Sequence, residues 1–140
     1  MVTGFPVDVC SVYVEGKIEA LRYKWIASEK AQRDLGPPAI NHWIQNHWHE
    51  YLRARWLEHV QGKRYWMEFE RNSFGVLEKQ FPDPLLLDRI VDRLKAGQEN
   101  LDVIQWALSW SVSVDRVIEI LEAVDVNSCR LSCRFSESDS

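Results

Sequence analysis

Two proline-bearing interruptions, Gly36-Pro37-Pro38 and Phe81-Pro82-Asp83-Pro84, decide where the helices of this chain must end. Proline has no N–H to donate and pushes the residue before it out of helical geometry, so neither segment can be helix interior. Ahead of the first break, Val14, Ile18, Leu21 and Trp25 follow one another at steps of four, three and four, and Ala27, Ala31 and Leu35 extend the pattern. This period predicts a helix of about five turns with that stripe on the core. Gly36 is expected to close it in the left-handed cap conformation. Residues 1 to 12 carry no clear period, although Val7, Val9 and Val12 suit a short extended arm.

Pro38 fits the first turn of a second helix, where a missing N–H is no loss. That helix is predicted to run to about Val60, before Gly62, with Ile40, Ile44, Trp48, Tyr51 and Leu52 on one face and Trp43 and His47 at its edge. A joint as short as Gly36 to Pro38 makes the two helices antiparallel neighbours. Between Lys63 and Phe81, Tyr65, Met67 and Phe69 alternate with Trp66, Glu68 and Glu70 over too short a length to choose between strand and helix. Ser73-Phe74-Gly75 reads as a break, and the prolines near 82–84 mark the best subdomain boundary.

Beyond it, Asp83 can cap a helix that opens on Pro84 and buries Leu86, Leu87, Ile90, Val91 and Leu94. Asn100 can cap the next, with Leu101, Ile104, Ala107 and Leu108, and Ser113 the last, with Val114, Val117, Ile118, Leu121 and Val124. The expectation is an all-α domain over residues 1–126, an N-terminal antiparallel two-helix hairpin packed on a small three-helix C-terminal unit. Residues 127–140 read as a polar, mobile tail.

A length of 140 residues suits one compact domain, and 46% hydrophobic against 27% charged residues excludes wholesale disorder. With 17 Lys and Arg against 21 Asp and Glu, the formal charge of -4 gives no drive toward polyanions. No apolar run reaches the roughly 18 to 20 residues of a membrane span, and Met1 to Pro6 lacks the blocks of a secretory signal, so a cytoplasmic protein is expected. Three cysteines, Cys10, Cys129 and Cys133, cannot all pair within one chain, which fits a reducing compartment. Cys129 and Cys133 lack the paired spacing of a zinc site. Seven tryptophans are the compositional anomaly. Each can bury on the order of 200 Å², so most are expected between helices, with one or two left outside as partner anchors.

All four histidines, His42, His47, His49 and His59, fall on the second helix. His42 and His49 are separated by about 10.5 Å along the axis, too far to share one metal ion. Neither HExxH nor the Glu-x-x-His pairs of a di-iron bundle occur, and no metal or other cofactor is expected. His47, beside Tyr51, reads as a hydrogen-bonded core imidazole. Opposite the apolar stripe, His42, Asn46, His49, Arg53 and Trp56 form a line of donors with an aromatic end, the composition of a protein-binding face. Arg55 and Glu58 suit a partly buried ion pair. The chain contains no GxSxG elbow, Walker loop or GxGxxG turn, so no catalytic residue is assigned.

The leading expectation is therefore a non-enzymatic helical interaction or regulatory module, self-associating or bound to another protein through that line. A nucleic-acid-binding regulator is the alternative. Arg55, Lys63, Arg64 and Trp66 interleave bases with aromatics as a phosphate-binding strip would. The segment from Ile104 to Leu121 resembles a helix-turn-helix, with Ala107, Trp110, Val112, Val117 and Ile120 at its apolar positions and Arg116 as the basic contact. It departs from the motif at Ser111, where glycine is usual, and in the acidic line Asp115, Glu119 and Glu122, which opposes docking to phosphates. A third reading, a small-ligand site or enzyme around His42, His49 and Arg53, requires a pocket that holds all three.

Overall fold

The structure, a computed structural model, describes residues 9–126 and 130–133. These contain six α-helices: α1 (Val12–Ala31), α2 (Pro37–Val60), α3 (Val76–Gln80), α4 (Pro84–Lys95), α5 (Asn100–Ser109) and α6 (Val114–Val124). The two-residue strands β1 (Val9–Cys10) and β2 (Tyr65–Trp66) pair in parallel, Val9 opposite Tyr65 and Cys10 opposite Trp66. The architecture is all-α as expected, an α1–α2 hairpin with α2 packed on α4 and α5 on α6. The undecided stretch from 63 to 81 uses several forms in turn: β2, a 3-10 turn at Arg71–Ser73, and α3.

Both ends of α1 are held by side chains. The Ser11 hydroxyl accepts from the N–H groups of Tyr13 and Val14 and donates to the Glu68 carboxylate. Glu68 Oε1 in turn accepts from Val12 N at 2.8 Å, so a residue of the distant β2 loop satisfies a donor that the helix start leaves open. At its C-terminus α1 stops a turn earlier than the sequence predicts. Gln32 takes the left-handed cap (φ 57°), while Gly36 (φ 65°, ψ -155°) caps the start of α2 instead. Ser28 Oγ accepts from Leu35 N at 3.0 Å and Asp34 Oδ1 from Gly36 N at 2.9 Å, which gives the joint its own hydrogen bonds in place of another helical turn.

The first core lies between α1 and α2 and is largely aromatic. Helix α2 contributes Ile40, Trp43, Trp48, Tyr51 and Leu52, closed off by Trp66 and Phe69. Trp43 meets Tyr51 edge-on with centroids 5.6 Å apart, and Tyr13 of α1 stacks on Trp48 at 5.9 Å. The Tyr51 hydroxyl donates to Val12 O at 2.8 Å, and burial raises its pKa well above the usual phenol range. Helix α1 inverts the prediction: it buries Val12, Gly16 and Ala20 and turns Val14, Ile18, Leu21 and Trp25 outward. Part of the expected tail is also packed. Leu131 O accepts from Trp48 Nε1 at 2.7 Å, and Leu131 and Cys133 lie against this core; Cys129 and residues 134–140 fall outside the described residues.

The histidine that the core buries is His59, whereas His47 is only half-buried. His59 Nδ1 accepts from Trp66 N at 3.2 Å, which leaves Nε2 to donate to Glu70 O at 2.9 Å. Both ring nitrogens are used only when the imidazole is neutral, and burial lowers its pKa below the ordinary value. Nearby, Gly62 and Gly75 meet backbone to backbone: a Cβ on Gly62 would stand 3.2 Å from Gly75 Cα, and both glycines hold positive φ.

The second core gathers Leu57 and Val60 of α2 with Leu77 of α3 and the inner faces of α4, α5 and α6. Helix α4 matches the sequence reading throughout: Asp83 accepts from Leu86 N at 3.2 Å, Pro84 opens the helix, and Leu86, Leu87, Ile90, Val91 and Leu94 are buried. Helix α5 is rotated from expectation. Glu99 rather than Asn100 is its cap, in a reciprocal box with Asp102, and Val103, Trp106 and Ala107 are buried while Leu101 and Leu108 face out. On α6, capped by Ser113, Ile120 takes the buried place expected of Ile118.

Two predictions follow from these contacts. Glu68→Ala removes the acceptor at the head of α1 and should lower stability by about 1–2 kcal/mol, read from the urea midpoint. For His59, the unfolded chain takes up a proton first as pH falls below about 6.5, so the stability tied to the neutral ring is complete above that pH. It is lost toward the lower folded pKa at no more than about 1.4 kcal/mol per pH unit. Urea titrations between pH 7.5 and 5 should show this loss in the wild type, and less of it in His59→Gln.

Candidate partner-binding surface

The line on α2 separates into two halves. His42, Asn46 and His49 are exposed, as the helical period predicts. His42 Nδ1 shares a hydrogen bond of 2.7 Å with the Tyr23 hydroxyl, the two rings stack at 5.7 Å, and Asn46 Nδ2 donates back to His42 O at 2.9 Å. Arg53 and Trp56 work inside the molecule. Arg53 donates to Gln98 O at 3.1 Å and pairs with Glu99 at 2.9 Å, and Trp56 Nε1 donates to Val124 O at 2.8 Å. The five residues do not form one free face.

The basic strip divides in a similar way. Arg55 pairs with Glu58 at 2.8 Å, the ion pair that the i,i+3 spacing predicts. Trp66 is wholly buried, with the guanidinium carbons of Arg55 and Arg64 at 5.6 and 5.3 Å from its ring and its Nε1 donating to Glu58 Oε1 at 3.2 Å. Its faces are therefore covered by the chain's own cations, and no base can stack there. Lys63 and Arg64 remain exposed.

In the helix-turn-helix-like segment, Ala107, Val117 and Ile120 are buried and Val112 packs against the same core. Ser111 adopts φ 57°, the left-handed conformation that makes glycine usual at this turn. Trp110, expected as an inward position, is 68% exposed. Asp115, Glu119 and Glu122 all face solvent alongside Arg116, so the outer side of α6 is predominantly acidic.

Sequence reasoning missed an apolar stripe that α1 leaves outside the cores. Val14, Ile18, Leu21 and Trp25 of α1 are 60%, 43%, 36% and 64% exposed. On a helical wheel they span about 60° and lie roughly half a turn from Val12, Gly16 and Ala20. The helix is apolar on two sides, and the bulkier side is the free one. Single exposed apolar residues are ordinary; four consecutive seam positions along one helix are not.

Among the described residues, His42, His49 and Arg53 share neither of the two grooves along α2. A groove of about 460 Å³ between α1 and α2 is lined by Glu19, Tyr23, Trp43, His47, Glu50, Tyr51 and Arg55, among others, and His42 borders a separate one with Tyr23 and Pro38. Neither has His49 or Arg53 in its wall. Among the described residues no group of three or more His, Cys, Asp or Glu is placed to hold a metal ion, and no helix is long and apolar enough to cross a membrane.

The internal role of Arg53 gives a direct expectation: Arg53→Ala should cost about 1–3 kcal/mol in a urea titration, because it strips a charged donor from carbonyls at the end of α4. A purely surface residue would cost less than about 0.5 kcal/mol. Comparison with models of known protein families, with curated proteins and with solved structures returned no match.

Proposed function

We propose that this chain is a non-enzymatic helical interaction module, cytoplasmic as its odd cysteine number implies, which docks a protein partner along the outward stripe of α1. The observation that carries this reading is the placement of Val14, Ile18, Leu21 and Trp25 in solvent while the opposite side of α1 already packs on α2. The helix has met its intramolecular needs, so a second apolar face has an intermolecular use. Burying an exposed tryptophan with three aliphatic neighbours supplies the fully desolvated anchor typical of interface hot spots. His42, Asn46 and His49 supply further exposed polar contacts on α2. The nucleic-acid alternative has less support, because Trp66 is buried and α6 turns carboxylates outward.

Ile18→Glu combined with Leu21→Glu tests the proposal. The double variant should keep its helicity and lie within about 1 kcal/mol of wild-type stability, since both positions face water. A photoreactive side chain at position 25 should yield protein adducts in cells that the double variant loses. Unfolding of the variant, or the absence of any adduct, would sink the reading.

A further inference from the structure

We infer that the occupant of the α1 stripe is α1 of a second copy of the chain, running antiparallel; this rests on the docking reading above and names its partner. The spacing is self-complementary. Steps of four, three and four read the same in both directions, so a two-fold axis between Ile18 and Leu21 sets Ile18 against Leu21 of the second copy and Val14 against its Trp25. Each end layer then joins the smallest side chain to the largest, and the layers have even thickness. A parallel pair would put Trp25 on Trp25 and Val14 on Val14, wide at one end and empty at the other.

Charge at one seam edge agrees with the antiparallel arrangement. It brings Glu15 of each copy beside Arg22 of the other, twice by symmetry. Among the described residues of one copy Arg22 makes an exposed i,i+3 pair with Glu19, at 2.7 Å, and its guanidinium can bridge both carboxylates. The other edge sets Lys17 near Lys24, a like-charge contact that opposes the arrangement by the small amount of an exposed pair. A parallel pair would set Lys17 against Arg22 and Lys24 against Glu29, an equal balance of charge, so the size match of Val14 with Trp25 decides between the two arrangements.

Area is sufficient. The four stripe residues expose on the order of 400 Å² per copy, and two copies with the stems of the flanking side chains bury about 1,000 Å² in total, where specific interfaces begin. An interface of this size belongs to the weak, transient class, so the dimer is expected to be reversible.

Sedimentation equilibrium on the full chain from about 1 to 100 μM should therefore follow a monomer–dimer equilibrium, with the Ile18→Glu, Leu21→Glu variant monomeric throughout. Arg22→Glu places like charges at both symmetric contacts and should weaken the dimer about three- to ten-fold, and adding Glu15→Arg should restore it. Tighter association of Arg22→Glu would mean parallel pairing and would overturn the assignment. So would a wild-type chain that stays monomeric at the highest concentration. If that monomer still cross-links a different protein through position 25, the docking reading survives without self-association; with no adduct at all, both fall.

Discussion

Helix α2 has to serve two apolar cores at once, and Trp56 is where they meet. Its indole packs against both clusters while its Nε1 is fixed on the last carbonyl of α6. Three residues earlier, Arg53 reaches the turn between α4 and α5, and three residues later His59 accepts from Trp66 N of β2. One helical turn on either side of Trp56 therefore ties α2 to β2, to the α4–α5 turn and to the end of α6. Buried polar groups of this kind tolerate little displacement, because a partner left unmet inside the molecule costs its full desolvation.

The elements that the sequence reveals well are those with one apolar side. Helix α4 is such a case: its cap, its opening proline and all five buried residues follow from spacing alone. Helix α1 is apolar on two sides, and periodicity finds the stripe without saying which side is covered. Side-chain size assigns the bulkier stripe to the core, yet the buried side of α1 carries Val12, Gly16 and Ala20, two of them too small to give a strong hydrophobic signal. The same ambiguity displaced Leu101 and Leu108 in favour of Val103 and Trp106. His59 could have been found, since it continues the stripe of Trp48 and Leu52 along α2.

Of the candidate surface, the exposure of His42 and His49 was legible because a helix fixes which residues share a side. The fate of Arg53 and Trp56 was not. Their partners, Gln98, Glu99 and Val124, stand more than forty positions away, and no local pattern encodes that meeting. Glu68, which completes the start of α1 from 56 residues on, is invisible for the same reason. What the chain leaves outside, four bulky side chains on α1, emerges only when the inside has been assigned.

The bond from Trp48 to Leu131 spans 83 residues, and β1 pairs with β2 across more than fifty. The aromatic core is thus shut by β1, which precedes α1, and by the segment at residue 131, which follows α6. A nascent polypeptide on the ribosome can form the α1–α2 hairpin early, but it must wait for Leu131 to emerge, 83 residues on, before Trp48 finds its acceptor. Loop closure on that scale slows the last step of assembly. Until then the indole of Trp48 keeps a wet edge, and the maturing hairpin is the stage most open to chaperones.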